Sequence, residues 1–292
     1  MLQGTDVDCG GFVGHNAQAA LDAKTITEAD MDVRLVNLFK VRIRLTHFDP
    51  LGPLQEIGSD QICSKDNIAT SMDGVVQSAA LLKNEKGALP LSGATAGSIV
   101  VIGPNAQLAQ SDSGYYGPRN VCNGEFWTVV DAMKKYGKNV TFDLGIPKVL
   151  SEDQSGIAAA VAKCAAADTC VLAVGSDLSW AAEGHDARNI SYTSAQQALI
   201  TQAAAAAKKP VIVVTLTAVP LDLSFFLSNP KVGAIIHVGQ PSVTVLGLAE
   251  LMFKEGGISP SGRTIQTIYP SSYQDAISIF DFVSDSPPVC CT

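Results

Sequence analysis

Short runs of β-branched residues alternate with longer alanine- or leucine-rich runs through most of the chain. We predict strands buried on both faces over residues 98–103, 169–175, 210–217 and 232–239. Between or beside them, residues 155–168, 194–209 and 242–254 are predicted to be helices. Strands separated by single helices pair in parallel, with right-handed crossovers. The pattern therefore predicts an α/β fold with a doubly wound, mostly parallel sheet.

The first 60 residues have a different pattern. Apolar residues recur at helical intervals after Thr25, and Thr25 and Glu28 have the spacing of a capping box. The stretch 48–60 then contains two prolines and two glycines, which exclude a regular element and are typical of a linker. We therefore expect a helix followed by a domain boundary near residues 50–60.

Composition excludes several classes of partner. The net charge is −8, and no run of basic residues exceeds two, so neither nucleic acid nor an anionic membrane is an expected partner. No apolar run reaches the ~18 residues that a membrane span requires. The opening MLQGTDVDCGG has neither a basic region nor an apolar region, so it is not expected to act as an export signal.

The cysteines and the glycosylation sequons leave the cellular compartment open. Seven cysteines, an odd number without a C-x-x-C pair, do not predict a disulfide scaffold or a zinc site. Cys164 and Cys170 are predicted to be buried as small apolar residues, and the adjacent pair 290–291 to be exposed thiols. Two sequons, at Asn139 and Asn189, indicate passage through the secretory pathway, although such triplets also arise by chance.

A charged loop, SWAAEGHDARNIS, follows the predicted strand 169–175. Ligand sites of open parallel sheets lie at the carboxyl ends of the strands, so this loop is a candidate site. The chain has neither the G-x-G-x-x-G of a nucleotide site nor the G-x-S-x-G of a hydrolase serine, and the spacing is not that of a metal site. A glutamate in a cleft can donate a proton to a leaving group. The alternative is an exposed polar loop in which Asp186 and Arg188 pair weakly.

Motifs along the whole chain resemble glycoside hydrolase family 3 enzymes of the β-xylosidase type. They occur in the family's order: GTDVDCGGF, RLTHFDP, SAALLKNEKGALPL, VIGPNA, GYYG and IYPSSY. The resemblance implies that residues 1–50 are a remnant of a (β/α) barrel and 51–75 a linker. Residues 76–276 would then form the family's C-terminal α/β sandwich, followed by a tail over 277–292.

The resemblance also implies a mechanism. Enzymes of this family are retaining exo-glycosidases that need neither a cofactor nor a metal. An aspartate of the barrel attacks the sugar, and a glutamate of the sandwich protonates the leaving oxygen. The family's nucleophile precedes the GTDVDCG motif, so we expect the 292 residues alone to be inactive.

The family's pattern Ser-x-Glu-x-Glu-Gly-x-Asp-Arg can be laid on SWAAEGHDAR. It puts Ala181 at the glutamate expected to be the acid and Ala187 at the arginine, so Glu183 is the remaining candidate for the acid/base. Arg188 would replace the missing arginine if the loop shifts by one residue. The residues expected to bind substrate are His185, Asp186, Arg188 and Tyr115.

Two functions stay open on the sequence. One is a glycosidase that hydrolyses terminal β-xylosyl residues of oligosaccharides in the extracellular or secretory space. The other is a non-catalytic fragment, either carbohydrate-binding or structural. In either case residues 1–48 would retain one strand and two helices of a barrel. With its surface uncovered, this segment is expected to be mobile or to promote self-association.

Overall fold

The computed structural model describes residues 2–53, 55–108, 122, 126–241 and 245–276. The chain forms two compact units that divide between Ser59 and Asp60. In the described residues, no helix is long and apolar enough to cross a membrane.

The first unit contains two helices, α1 (Phe12–Asp22) and α2 (Glu28–Arg44), neither of which has a buried residue. The capping box of α2 is formed by Thr27 and Asp30, so the predicted Thr25–Glu28 box is wrong. Thr27 has the extended backbone that a cap requires, and aspartate, like glutamate, reaches back to the cap N–H, here over 2.9 Å. The strand predicted in this segment is absent from its described residues.

The second unit is built on one six-stranded sheet. Its strands are β1 (Ala80–Asn84), β2 (Ser98–Ile102), β3 (Asn139–Asp143), β4 (Thr169–Gly175), β5 (Val211–Leu216) and β6 (Val232–Gly239). The strand order is β1-β6-β5-β4-β2-β3. All neighbours pair in parallel except β1, which is antiparallel to β6. The predicted doubly wound, mostly parallel sheet is confirmed.

Helices cover both faces of the sheet. They are α3 (Lys65–Ser78), α4 (Val129–Tyr136), α5 (Ile157–Ala166), α6 (Ser194–Ala206), α7 (Ser224–Leu227) and α8 (Gly247–Met252). A further short helix, α9 (Ser272–Ala276), ends the described part of the chain. Alternate residues of β4 enter two separate cores, with Leu172 on the side of α5 and α6 and Val171 on the side of α4 and α8. Burial on both faces explains why this strand is continuously apolar.

Two features differ from the sequence-based expectation. Helix α3 lies partly within the segment 51–75 predicted as a linker, because the Ser64 hydroxyl caps it by accepting from the backbone N–H of Asn67. Cys164 and Cys170 are buried as predicted, but they form a disulfide and are not free thiols. The end of α5 meets the start of β4 there, which brings the two Cα atoms to 5.4 Å.

A second disulfide joins Cys63 to Cys122, whereas Cys9 is free and exposed. Residues 290 and 291 lie outside the described part of the chain.

Candidate active site

The order in which the strands are added to the sheet reverses between β2 and β4. The chain leaves β2 for β3 on one side and returns to β4 on the other, so the carboxyl ends of β2 and β4 flank a topological switch point. Ligands of open α/β sheets bind in the crevice at such a point. The chain leaves β4 at Ser176, and the charged loop begins three residues later at Ser179, so the loop lies at this edge of the sheet.

Buried polar groups fix the loops at the switch point. Asn105, after β2, donates through Nδ2 to the carbonyl of Ser176 over 3.1 Å. The Ser176 hydroxyl lies 2.8 Å from that of Thr217, after β5. All three side chains are almost fully buried. The loops after three neighbouring strands are therefore held together by hydrogen bonds.

Gln196 fixes the end of β4, just before the charged loop. Its side chain is fully buried at the start of α6, where it accepts from the N–H of Gly175 over 3.2 Å and donates to the carbonyl of Gly175 over 3.0 Å. Its amide also donates to the carbonyl of Val149 over 2.8 Å. One side chain thus links the end of β4 to the segment that follows β3.

Glu183 lies at the tip of a tight turn in this loop. Ala182 and His185 exchange two backbone hydrogen bonds of 2.8 and 2.9 Å, which leaves Glu183 and Gly184 as the corner residues. Gly184 has a φ of +72°, a conformation that favours glycine. Both corner residues are exposed, so the carboxylate of the candidate acid/base is presented to solvent.

The two alanines of the motif face inward. Ala181 and Ala187 are partly buried and pack against the core between the sheet and α5–α6. The two residues that were expected to stand at the family's glutamate and arginine therefore contribute methyl groups to the core.

A cavity of about 410 Å³ lies beside the turn. It is lined by Leu150, Glu152, Trp180, His185, Asp186, Arg188, Asn189, Ser191, Tyr192, Thr193 and Ser194. Three predicted binding residues, His185, Asp186 and Arg188, are thus brought together, while Glu183 is not among the lining residues. The His185 ring is oriented by a 3.0 Å contact between its Nε2 and the carbonyl of Ser179. Tyr115 lies outside the described residues.

The cavity also includes lining residues that were not singled out from the sequence, among them Trp180, Tyr192 and Glu152. Trp180 and Tyr192 are buried aromatic side chains at its wall. The Tyr192 hydroxyl is buried without a hydrogen-bond partner in the described part of the chain, and burial, with the nearby charge of Asp222, raises its pKa. In the sequence, Trp180 and Tyr192 could have been identified from their positions on either side of the charged residues.

Glu152 is the third such residue, and it caps α6. Its carboxylate accepts from the hydroxyl and N–H of Ser194 and, over 3.1 Å, from the N–H of Ala195. The Ser194 hydroxyl is the main cause of a lowered pKa, and the two backbone N–H groups add to it. Glu152 is 42 residues from Ser194, so no local pattern could have identified it.

The two sequon asparagines are both exposed. Asn139 begins the edge strand β3. Asn189 lies in the charged loop, where its Oδ1 accepts from the N–H of Ser191 over 3.2 Å. Within the described residues, no group of three His, Cys, Asp or Glu side chains is arranged to hold a metal ion.

Residues 79–285 match the family model described as "Glycosyl hydrolase family 3 C-terminal domain". The chain belongs to glycosyl hydrolase family 3. The family predicted from the motifs is therefore confirmed, and the six-stranded sheet with its flanking helices is the C-terminal α/β sandwich of family 3.

Relatives that are named as xylosidases align with almost the entire chain. "Probable beta-D-xylosidase 7" of Arabidopsis thaliana is 38% identical over 275 residues, which are 92% of this chain and 35% of the relative. "Beta-xylosidase/alpha-L-arabinofuranosidase 2" of Medicago sativa subsp. varia is 32% identical over 281 residues, 95% of this chain and 35% of the relative. The chain thus spans about a third of the length of these curated relatives.

Solved structures of two glycosidases have the same fold. The exo-β-xylosidase XlnD, in complex with a xylobiose aziridine activity-based probe, superposes with a TM-score of 0.85 at 27% identity, over 96% of this chain and 36% of that one. A β-glucosidase from Listeria innocua superposes with a TM-score of 0.78 over 94% of this chain and 37% of its own. At 20% identity, the second likeness shows the fold alone.

Proposed function

We propose that this chain carries the acid/base loop of a retaining exo-glycosidase of the β-xylosidase type, which hydrolyses terminal β-xylosyl residues of oligosaccharides. The observation that carries the proposal is the loop at the switch point, whose cavity is lined by His185, Asp186 and Arg188. Relatives named as β-xylosidases, which align over 92% or more of the chain, support this substrate class.

Glu183 is the proposed acid/base. It would protonate the leaving oxygen in the first step and remove a proton from water in the second. Its position at an exposed tip suits a carboxylate that must reach a substrate bound largely by another domain. His185, Asp186, Arg188 and Tyr115 are proposed to bind sugar hydroxyls.

The attacking aspartate is proposed to come from a barrel domain, of which residues 1–50 represent only a part. The two carboxylates of a retaining enzyme must approach within about 5 Å. We propose that the chain divides into a barrel part, 1–50, a linker, 51–75, the sandwich, 76–276, and a tail, 277–292. This division places the acid/base and the nucleophile in different domains. The 292 residues alone are expected not to turn over substrate.

A specific observation favours a second candidate, a non-catalytic carbohydrate-binding or structural module. The methyl group of Ala181 packs against the core at the position where the family pattern has its acid. If Glu183 does not replace that residue, the cavity would bind sugar without catalysis.

A chimera distinguishes the two candidates. Residues 60–292 are joined to the barrel domain of a family 3 β-xylosidase, and the release of nitrophenol from an aryl β-xyloside is measured. We expect turnover by the chimera, and a loss of about 10²–10⁴-fold in Glu183→Gln. Glu85→Gln, which changes an exposed glutamate of the loop after β1, is the matched control and is expected to keep full activity.

The other outcomes are equally informative. A folded chimera that binds xylobiose but does not hydrolyse the aryl xyloside would support the binding module. Equal turnover with and without the Glu183 carboxylate would remove Glu183 from the mechanism. Turnover by the 292 residues alone, lost in Glu183→Gln, would contradict the proposed origin of the nucleophile.

We also propose that the protein resides in the extracellular or secretory space. Two disulfides, Cys63–Cys122 and Cys164–Cys170, support an oxidising environment for folding. The exposure of both sequon asparagines is compatible with glycosylation in that environment.

A further inference from the structure

Strand β3 is the exposed edge of the sheet on the side of β2. Among the described residues, no strand pairs with its outer side. Three of its five residues are exposed, including Phe142, whose exposed fraction is 38%. An open edge with an exposed aromatic residue is a template for pairing with another chain, and natural sheets usually block such edges.

The carboxyl-terminal half of this edge is already blocked. Lys163 of α5 donates through Nζ to the carbonyl of Phe142 over 3.4 Å and forms a 2.7 Å ion pair with Asp143. A lysine bound to the backbone of an edge strand disfavours pairing, because an approaching strand would have to displace its charge and hydrogen bond.

In the amino-terminal half, the strand itself has no charged side chain that would block pairing. Asn139 and Thr141 are exposed, and neither side chain forms a hydrogen bond with the described residues. Lys138 is also exposed, but it lies before the strand begins. This half of the edge consists of the sequon Asn139-Val140-Thr141.

We propose that Asn139 is N-glycosylated and that its glycan covers the amino-terminal half of β3 against pairing with a second chain. The side-chain amide nitrogen bonds to the anomeric carbon of a lipid-diphosphate-linked oligosaccharide. It loses one proton, and the lipid diphosphate leaves. A bulky, hydrated glycan at the first residue of an edge strand obstructs the approach of another backbone. This inference does not depend on Glu183 or on hydrolysis.

The sequon at Asn189 provides an internal comparison. It lies in the loop that lines the cavity, and its backbone is not part of a strand. A glycan there would leave the outer side of β3 uncovered, so its loss should not affect association through the sheet edge.

The test uses the full chain, secreted from a eukaryotic host. Glycopeptides are mapped by mass spectrometry, and the rate of association is followed by light scattering. Two substitutions at one position separate the glycan from the edge: Thr141→Ala removes the sequon, and Thr141→Lys removes the sequon but adds an edge charge. We expect Asn139 to be occupied, Thr141→Ala to associate several-fold faster than wild type, and Thr141→Lys to remain near the wild-type rate.

Two controls complete the design. Thr141→Ser preserves the sequon and should behave as wild type, and Asn189→Gln should remove the other glycan without increasing association. An unmodified Asn139 peptide would overturn the proposal. So would a Thr141→Ala chain that associates no faster than wild type, or a Thr141→Lys chain that associates as fast as Thr141→Ala.

Discussion

Gln196 fixes the end of β4, from which the chain runs into the charged loop. Gln196→Ala removes three hydrogen bonds to fully buried partners and leaves the N–H and carbonyl of Gly175 unpaired. Each of these two unpaired groups costs about 1–3 kcal/mol, so we expect the free energy of unfolding to fall by about 2–6 kcal/mol. Denaturant unfolding measures it. Gln202→Ala, at an exposed position of the same helix, is the control and should change stability by less than about 0.5 kcal/mol.

His237 predicts a pH dependence of stability. It lies on β6, and its Nδ1 is 2.9 Å from the Thr215 hydroxyl. Burial lowers its pKa, because the charged ring would lose hydration. The neutral ring therefore contributes stability that is complete above the unfolded value of about 6.5 and is lost as pH falls through the lower folded pKa.

We expect the free energy of unfolding to decrease between pH 7 and pH 5, by at most about 1.4 kcal/mol per pH unit from this one group. His237→Asn keeps a polar group near the position of Nδ1 but cannot be protonated, so its free energy of unfolding should change less with pH over the same range. Equal slopes for both chains would mean that another group causes the dependence.

Residue patterns predicted the position of the candidate site but not its geometry. The place of Glu183 after an apolar strand was enough to put it at the carboxyl edge of the sheet. That Ala181 faces the core while Glu183 lies at an exposed tip depends on the Ala182–His185 turn, for which the sequence offered only Gly184. Composition cannot reveal which side of a loop faces the core.

At the scale of the elements, the N-terminus of α6 depends on a distant carboxylate. Thr193 accepts from the N–H of Gln196, and Glu152 accepts from those of Ser194 and Ala195. The helix has no acidic residue of its own in its first turn, so Glu152 provides the negative charge that the helix dipole favours.

Glu152→Gln should lower the free energy of unfolding by about 0.5–1 kcal/mol at pH 7, a modest value because the carboxylate is exposed. Since the folded pKa is lowered, the contribution is complete above the unfolded pKa and is lost as pH falls through the folded pKa, so the two chains should converge in acid below that folded pKa. A double-mutant cycle with Ser194→Ala measures the coupling. A coupling of zero at pH 7 would contradict the capping role.

The sequence predicted the strands that are buried on both faces, because their sequences are continuously apolar. Strands β2, β4, β5 and β6 are buried almost throughout, and each was predicted within a residue or two. Strand β3 was not predicted, because three of its five residues are exposed and its pattern is mixed. Strand β1 is defined by its antiparallel pairing with β6, a contact across about 150 residues that no local pattern encodes.

At the scale of the whole molecule, the Cys63–Cys122 disulfide restricts the conformations of the unfolded chain. It closes a loop with a sequence separation of 59 residues, for which chain entropy gives a stabilisation of about 4 kcal/mol. Replacing both cysteines with alanine should lower the melting temperature and the free energy of unfolding accordingly. Cys9→Ala removes only a free, exposed thiol and should have no effect. Unchanged stability of the double variant would show that the bridge does not constrain the unfolded state.

The first unit is expected to associate through the apolar surface of α2. Neither of its helices buries a residue, and exposed apolar side chains recur along the second one, at Val33, Leu35, Val36, Phe39, Val41 and Ile43. Exposed apolar surface of this extent favours self-association, and helices without buried contacts open readily. Amides of residues 1–48 should therefore exchange rapidly in the monomer and become protected as the protein concentration rises.

Two substitutions test this surface. Val36→Gln with Ile43→Gln removes apolar area from α2 and should lower the association constant measured by sedimentation, whereas Asn37→Gln, a polar exchange on the same helix, should leave it unchanged. Association would have to use another surface if the double variant behaved as wild type. Strong amide protection throughout residues 1–48 in a monomer would contradict the expectation itself, because it would require tertiary contacts that hold these helices closed without a second chain.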